Sequence, residues 1–186
     1  MVRRGVQRSK PVQDHTTAAP ALDSVSFEVI GRVRSPYTER FGTPRQPPVT
    51  HQVLGDKAQE AQIVLRADLA AAAADLRGFD RIWVVSWLHL NRGFAHTVMP
   101  PRGPRVRRGV LSTRAPHRPN PIGLSALRLT RVEGCVLDVV GVDLLDGTPV
   151  LDVKPYVPYT DAFPGSAVGW LTGLIPDEPD RFEPQE

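Results

Sequence analysis

From Phe27 to Arg34 the chain alternates apolar and polar residues (Phe-Glu-Val-Ile-Gly-Arg-Val-Arg), the period of a strand with one buried face. Ser35-Pro36-Tyr37 ends it, because proline stops pairing. A short strand is predicted over 62–66. A helix is predicted over Ala67–Arg77, where alanine dominates and Gly78 supplies the stop. Arg81 to His89 is too apolar for a sheet edge and reads as a central strand. Further strands are expected over 107–113, 124–132, 136–143 and 150–153. Long Gly- and Pro-containing loops lie at 41–49 and 91–105. One clear helix and turn signals about every ten residues predict a mainly β fold, a small mixed-to-antiparallel barrel with one short helix and long Pro-rich loops. A Rossmann-type fold is not expected, since strands do not alternate with long helices.

Composition supports this picture. The chain has 186 residues, of which 19 are proline; the usual share is about 5%. That density excludes a helix bundle. The length suits one domain with a real core. Net charge is only +3, but the charges are segregated. Residues 81–132 contain ten arginines, no lysine and no acid, whereas 133–186 contain 11 acids and two bases. An acid-free run of that length argues for an anionic partner. The single cysteine, Cys135, excludes an internal disulfide and a cysteine-based zinc site. No run of 18 apolar residues occurs, and no apolar stretch follows the basic start (Arg3, Arg4, Arg8, Lys10), so a cytoplasmic protein is expected. Residues 1–25 read as a disordered basic arm, 26–172 as the barrel domain, and 173–186 as an acidic, proline-rich tail.

Four segments and one histidine offer chemistry. In Arg118-Pro-Asn120-Pro-Ile-Gly123 two prolines fix the backbone around one asparagine, whose side chain both donates and accepts hydrogen bonds; Arg114 and His117 add cations beside it. The same residues also suit a simple turn into a strand. In Asp143-Leu144-Leu145-Asp146-Gly147, Asp-Gly signals a tight hairpin turn, and both carboxylates suit hydroxyl or ammonium groups. Lys154, one of three lysines, stands between Asp152 and Tyr156 and needs a partner if buried. Pro44-Arg45-Gln46-Pro47 is a rigid loop presenting an arginine and an amide, and His89 ends the tryptophan-bearing strand, where a satisfied core histidine is the plainer reading. There is no Gly-x-Gly-x-x-Gly, no phosphate-binding Gly-Lys-Ser/Thr loop and no metal-ligand spacing, so no metal site is expected.

Together, Ser35-Pro36-Tyr37, Pro44 to Pro47, Thr113-Arg114, Arg118 to Gly123, Asp143 to Pro149 and Asp152 to Tyr156 resemble the TsaA-like/TrmO (YaeB) family in order and spacing, over roughly 27–161. The resemblance implies a β-barrel that binds S-adenosylmethionine outside any Rossmann fold, near a homodimer interface. It implies methylation of the exocyclic nitrogen of N6-threonylcarbamoyladenosine, 3′ to the anticodon of threonine tRNA, with the anticodon stem-loop as partner. It assigns cofactor binding to Pro44, Arg45, Gln46, His89, Arg118, Leu127, Asp143, Leu144, Leu145 and Asp146. On chemical grounds Asn120 would accept the acceptor N–H, and Lys154 or Tyr156 would orient the carbamoyl group. Members of the family often carry a further C-terminal domain. Two other readings stay open: a methyltransferase of the same fold acting on a small molecule, and a module that binds S-adenosylmethionine or RNA without chemistry.

Overall fold

A computed structural model describes residues 24–39, 43, 59–101 and 103–174. The expected basic arm, the Pro44-Arg45-Gln46 loop and nearly all of the acidic tail lie outside the described residues. Six strands close a barrel: β1 (Gly31–Arg34), β2 (Glu60–Leu65), β3 (Arg81–Trp87), β6 (Ile122–Glu133), β7 (Val136–Val140) and β8 (Pro149–Pro155). Their order is β1-β2-β7-β6-β3-β8, and every pairing is antiparallel. Two further strands, β4 (Thr97–Val98) and β5 (Arg108–Gly109), pair with each other outside the barrel. The predicted helix appears as one turn of α-helix (Ala70–Ala73) between two 3-10 turns, and Gly78 leaves it with φ 94°. Its face against the barrel is thin, since only Ala73 is buried.

Alternation along the strands fills the interior. Val33, Ile63, Ile82, Val84, Leu127, Leu137, Val139 and Val150 all point inward and are almost fully enclosed. β3 lies between β6 and β8, as its apolar run requires. β1 is shorter than its alternating pattern; just before it Ile30 still reaches the sheet, its N–H donating to the Val150 carbonyl over 2.9 Å and its carbonyl accepting the Arg66 N–H over 2.8 Å. It closes the barrel through two pairs, Gly31 with Val150 and Arg32 with Pro149. Only glycine fits at position 31, since a Cβ there would lie 2.6 Å from the Val64 carbonyl oxygen.

Two expectations need correction. The segment 107–113 is a two-residue strand followed by a single 3-10 turn; among the described residues the strand pairs only with β4. The Asp146-Gly147 turn does not close a hairpin. β7 pairs with β2 and β6, whereas β8 pairs with β1 and β3, so residues 141–148 cross the end of the barrel. The turn itself is real, with Gly147 at φ 72° and the Thr148 N–H donating to the Leu145 carbonyl over 3.2 Å.

Candidate functional site

The ends of β1, β3 and β7 and the starts of β6 and β8 form one rim of the barrel. The loop Arg118 to Pro121 enters this rim and is tied to the residues after β3, where the Leu88 N–H donates to the Pro121 carbonyl over 2.8 Å. Within the loop, Arg118 Nη1 donates to the Thr113 carbonyl over 3.2 Å. The Asn120 carbonyl accepts the Ile122 N–H over 2.7 Å. Its side chain is exposed and has no hydrogen-bond partner among the described residues, so two prolines hold a free amide at the rim. His89, two residues after β3, is half-buried, its ring 6.0 Å from that of Trp87.

Inside the rim the interior turns polar. Ser86 is 0% exposed and its Oγ has no hydrogen-bond partner among the described residues. Gly123 faces it in register, and a Cβ at 123 would lie 2.5 Å from that Oγ. One inward position further along β6, the buried Ser125 hydroxyl donates to Asp143 Oδ1 over 2.7 Å. Burial pushes the Asp143 carboxyl up to about 6. The Ser125 bond, its own backbone N–H and the charge of Arg114 oppose that shift without cancelling it. A carboxylate held in this state has an unmet preference for a cation. Buried polar groups are costly unless partnered, so the orphaned Ser86 hydroxyl and the mostly buried Asp143 make the interior of this rim the candidate site for a polar ligand.

The crossing loop divides its two acids. Asp143 faces inward, but Asp146 Oδ1 accepts the Ser35 N–H over 3.0 Å, and the Asp146 N–H donates to the Tyr37 carbonyl over 2.7 Å. Arg32 Nη1 braces the same turn through the Gly147 carbonyl at 3.0 Å. Asp146 therefore locks the loop onto the end of β1, with Oδ2 left over. Leu144 is buried in the core and Leu145 half-buried. Leu127 lies in mid-strand rather than at a strand start, with a fully buried side chain and Ile82 as its cross-strand partner.

Lys154 and Tyr156 do not join this group. Ser86 pairs with both Gly123 and Val150, so Asn120 precedes that level while Lys154 follows it by four residues, about 13 Å along a strand. Lys154 points outward and finds its partner in Asp152, Nζ to Oδ2 2.6 Å. The Tyr156 ring packs on Trp83 at 5.3 Å, and Trp83 Nε1 donates to Asp161 Oδ2 over 2.9 Å. A groove of about 930 Å³ lies on another wall, among Arg34, Gln62, Arg131 and Asp138, and reaches Asp146. There a Gln62–Asp138 hydrogen bond of 2.8 Å and the Arg131–Asp138 pair already satisfy much of the polar lining, and we place the site at the rim instead. Nothing in the sequence singles out Ser86 and Ser125, although both sit at the inward parity of strands whose other inward residues are apolar. Among the described residues no cluster of three His, Cys, Asp or Glu could hold a metal, and no helix is long and apolar enough to cross a membrane.

Comparison with known proteins supplies a context. Residues 32–162 match the model of the tRNA-methyltransferase O N-terminal domain. The chain is 37% identical over 156 residues to the tRNA (adenine(37)-N6)-methyltransferase of Escherichia coli, covering 80% of this chain and 65% of that protein. It is 41% identical over 132 residues to a probable S-adenosyl-L-methionine-binding protein of Methanothermobacter thermautotrophicus, covering 71% of this chain and 90% of that one. A crystal structure of TrmO from Pseudomonas aeruginosa superposes with a TM-score of 0.63 at 36% identity, over 79% of this chain and 62% of the other. The chain thus spans a little under two thirds of the Escherichia coli and Pseudomonas proteins.

Proposed function

Because the chain belongs to the tRNA-methyltransferase O family, we propose that it transfers the methyl group of S-adenosylmethionine to the exocyclic nitrogen of N6-threonylcarbamoyladenosine at position 37 of threonine tRNA, a reaction of the cytoplasm. The names of its relatives support the cofactor and the tRNA adenine. The observation that carries the reading is the rim itself, where a free Asn120 amide, Arg118 and the enclosed Asp143 share one barrel end.

The residues present fit the cofactor. Arg118 and Arg114 suit its carboxylate, the half-buried His89 supplies ring surface, and the ionised Asp143 suits its cationic side. Leu145 and the remaining Asp146 oxygen flank the same loop; Pro44, Arg45 and Gln46, which the resemblance assigns to the cofactor, lie outside the described residues. When bound, S-adenosylmethionine supplies an electrophilic methyl group. The protein's task is then placement, since holding the nucleophile in line at near-contact distance supplies most of the rate. The acceptor nitrogen lies between a carbonyl and an aromatic ring, which delocalise its lone pair. The Asn120 amide oxygen, accepting that N–H, would draw the pair back toward nitrogen while the flanking prolines fix the backbone that carries the amide; the proton then leaves to solvent as the sulfur–methyl bond breaks. Asn120→Ala is expected to lower turnover at least tenfold with cofactor affinity unchanged; unchanged turnover would remove Asn120 from the mechanism.

Lys154 and Tyr156 can orient the carbamoyl group only from a second copy. The outer face of β3 and β6 supports such a pair, since Trp87, Ile122 and Leu124 form a continuous exposed strip, 45%, 42% and 57% accessible. We read this strip as the homodimer interface. Leu124→Asp is expected to halve the mass in sedimentation equilibrium; a wild-type monomer would refute the interface. Labelled S-adenosylmethionine offered with total tRNA, modified or unmodified, tests the function. Label confined to modified tRNA supports it, label in small metabolites favours the small-molecule enzyme, and binding without transfer favours a sensor.

A further inference from the structure

Between β3 and β6 the chain leaves the barrel for more than 30 residues, and this excursion contains no acidic side chain. The β4–β5 hairpin forms its centre, and two of its arginines are already committed. Arg107 Nε and Nη2 donate to the Thr97 hydroxyl and carbonyl, at 2.8 and 2.6 Å. Arg108 stacks on Trp170, 5.3 Å from the ring centre, and Trp170 Nε1 donates to the Ser112 carbonyl over 2.9 Å. The segment after β8 thereby clamps the hairpin. Arg92 and Arg105, by contrast, are exposed and have no hydrogen-bond or ion-pair partner among the described residues. Phe94 is 46% accessible and meets the exposed His96 ring edge-to-face, 5.4 Å between centres.

An exposed aromatic pair flanked by free guanidinium groups on a braced hairpin matches what unpaired RNA requires, a stacking face for a splayed base and cations for the adjoining phosphates. We propose that the β4–β5 excursion is the RNA-docking element, in which Phe94 and His96 stack an unpaired base while Arg92 and Arg105 contact phosphates; Arg107 and Arg108 hold the hairpin in shape. The proposal rests on the tRNA reading above and refines it. It divides the arginine-rich block into scaffold and contact residues, which net charge alone does not do. Its location also follows, since the excursion runs directly into the Asn120 loop through the Thr113–Arg118 hydrogen bond.

Threonine tRNA binding to the full chain, measured by fluorescence anisotropy across a salt series, tests it. Each released phosphate contact lowers the slope of log affinity against log salt by about 1. Arg92→Gln and Arg105→Gln are each expected to do so, while Arg77→Gln, an exposed arginine beyond the helix, leaves the slope unchanged. Phe94→Ala is expected to weaken binding about tenfold at constant slope, with Phe94→Trp restoring it. Unchanged cofactor affinity in each variant shows that the barrel is intact. If the wild type binds with a salt dependence that none of these substitutions alters, the docking assignment is wrong and the function stands. If the wild type binds no tRNA, the function itself falls and the assignment with it.

Discussion

Asparagine at position 143 is expected to make the protein more stable at neutral pH and less able to hold its cofactor. Burial raises the Asp143 carboxyl from 3.8 to about 6. The folded protein therefore holds this proton more tightly than the unfolded chain does. The carboxyl's effect on stability is most favourable below pH 3.8, and it is lost as pH rises from there to about 6. Above that range the ionised group costs the fold at most about 3 kcal/mol, an upper bound because part of the residue still meets solvent. Asp143→Asn removes the titration and leaves an oxygen for the Ser125 hydroxyl. The difference in unfolding free energy, variant minus wild type, should thus be positive at pH 7 and shrink toward zero near pH 4. Cofactor affinity moves the other way. It should fall in the wild type as pH drops below about 6, and be low at every pH in the variant. A variant no more stable at pH 7 than the wild type would show that Asp143 is not strained in the free protein.

The second large effect concerns Leu127, which the family resemblance assigns to the cofactor and whose side chain the fold places in the core. Truncation of an enclosed leucine typically costs 2–5 kcal/mol, about 3 here, which lowers the melting temperature by about 10 °C for a chain of this length. Leu127→Ala should show that loss in thermal unfolding. Calorimetry at low temperature should show cofactor affinity per folded molecule within about twofold of wild type, as no side-chain contact is removed. A large loss of affinity with an unchanged melting temperature would return the side chain to the cofactor site.

These two residues also show what the sequence could and could not convey. Alternation at Phe27–Arg34, the apolar run of β3 and the proline content were enough to indicate a barrel, because strand periodicity depends only on near neighbours. Closure was not legible. The pairing of Gly31 with Val150 spans most of the chain, and nothing local to either residue encodes it. The Asp-Gly turn was recognised as a turn, yet its role as a cross-barrel connection depends on which strands flank it in space. The same distinction explains the site. Asn120 between prolines was conspicuous, whereas Ser125 looked like one more strand residue until the inward parity of β6 brought it to Asp143. The sequence around Lys154 suggests a buried strand end and hence a lysine in need of a partner; the strand turns it outward, where Asp152 suffices.

The central claim is that this barrel rim methylates one modified nucleoside. Incubation of the purified chain with S-adenosylmethionine and threonine tRNA, followed by enzymatic digestion and mass spectrometry of the nucleosides, tests it directly. The account predicts conversion of N6-threonylcarbamoyladenosine to a species heavier by one methylene, abolished by Asp143→Asn at pH 7, with unmodified adenosine untouched. An unchanged nucleoside in the presence of bound cofactor, or a methyl group on any other base, would contradict it.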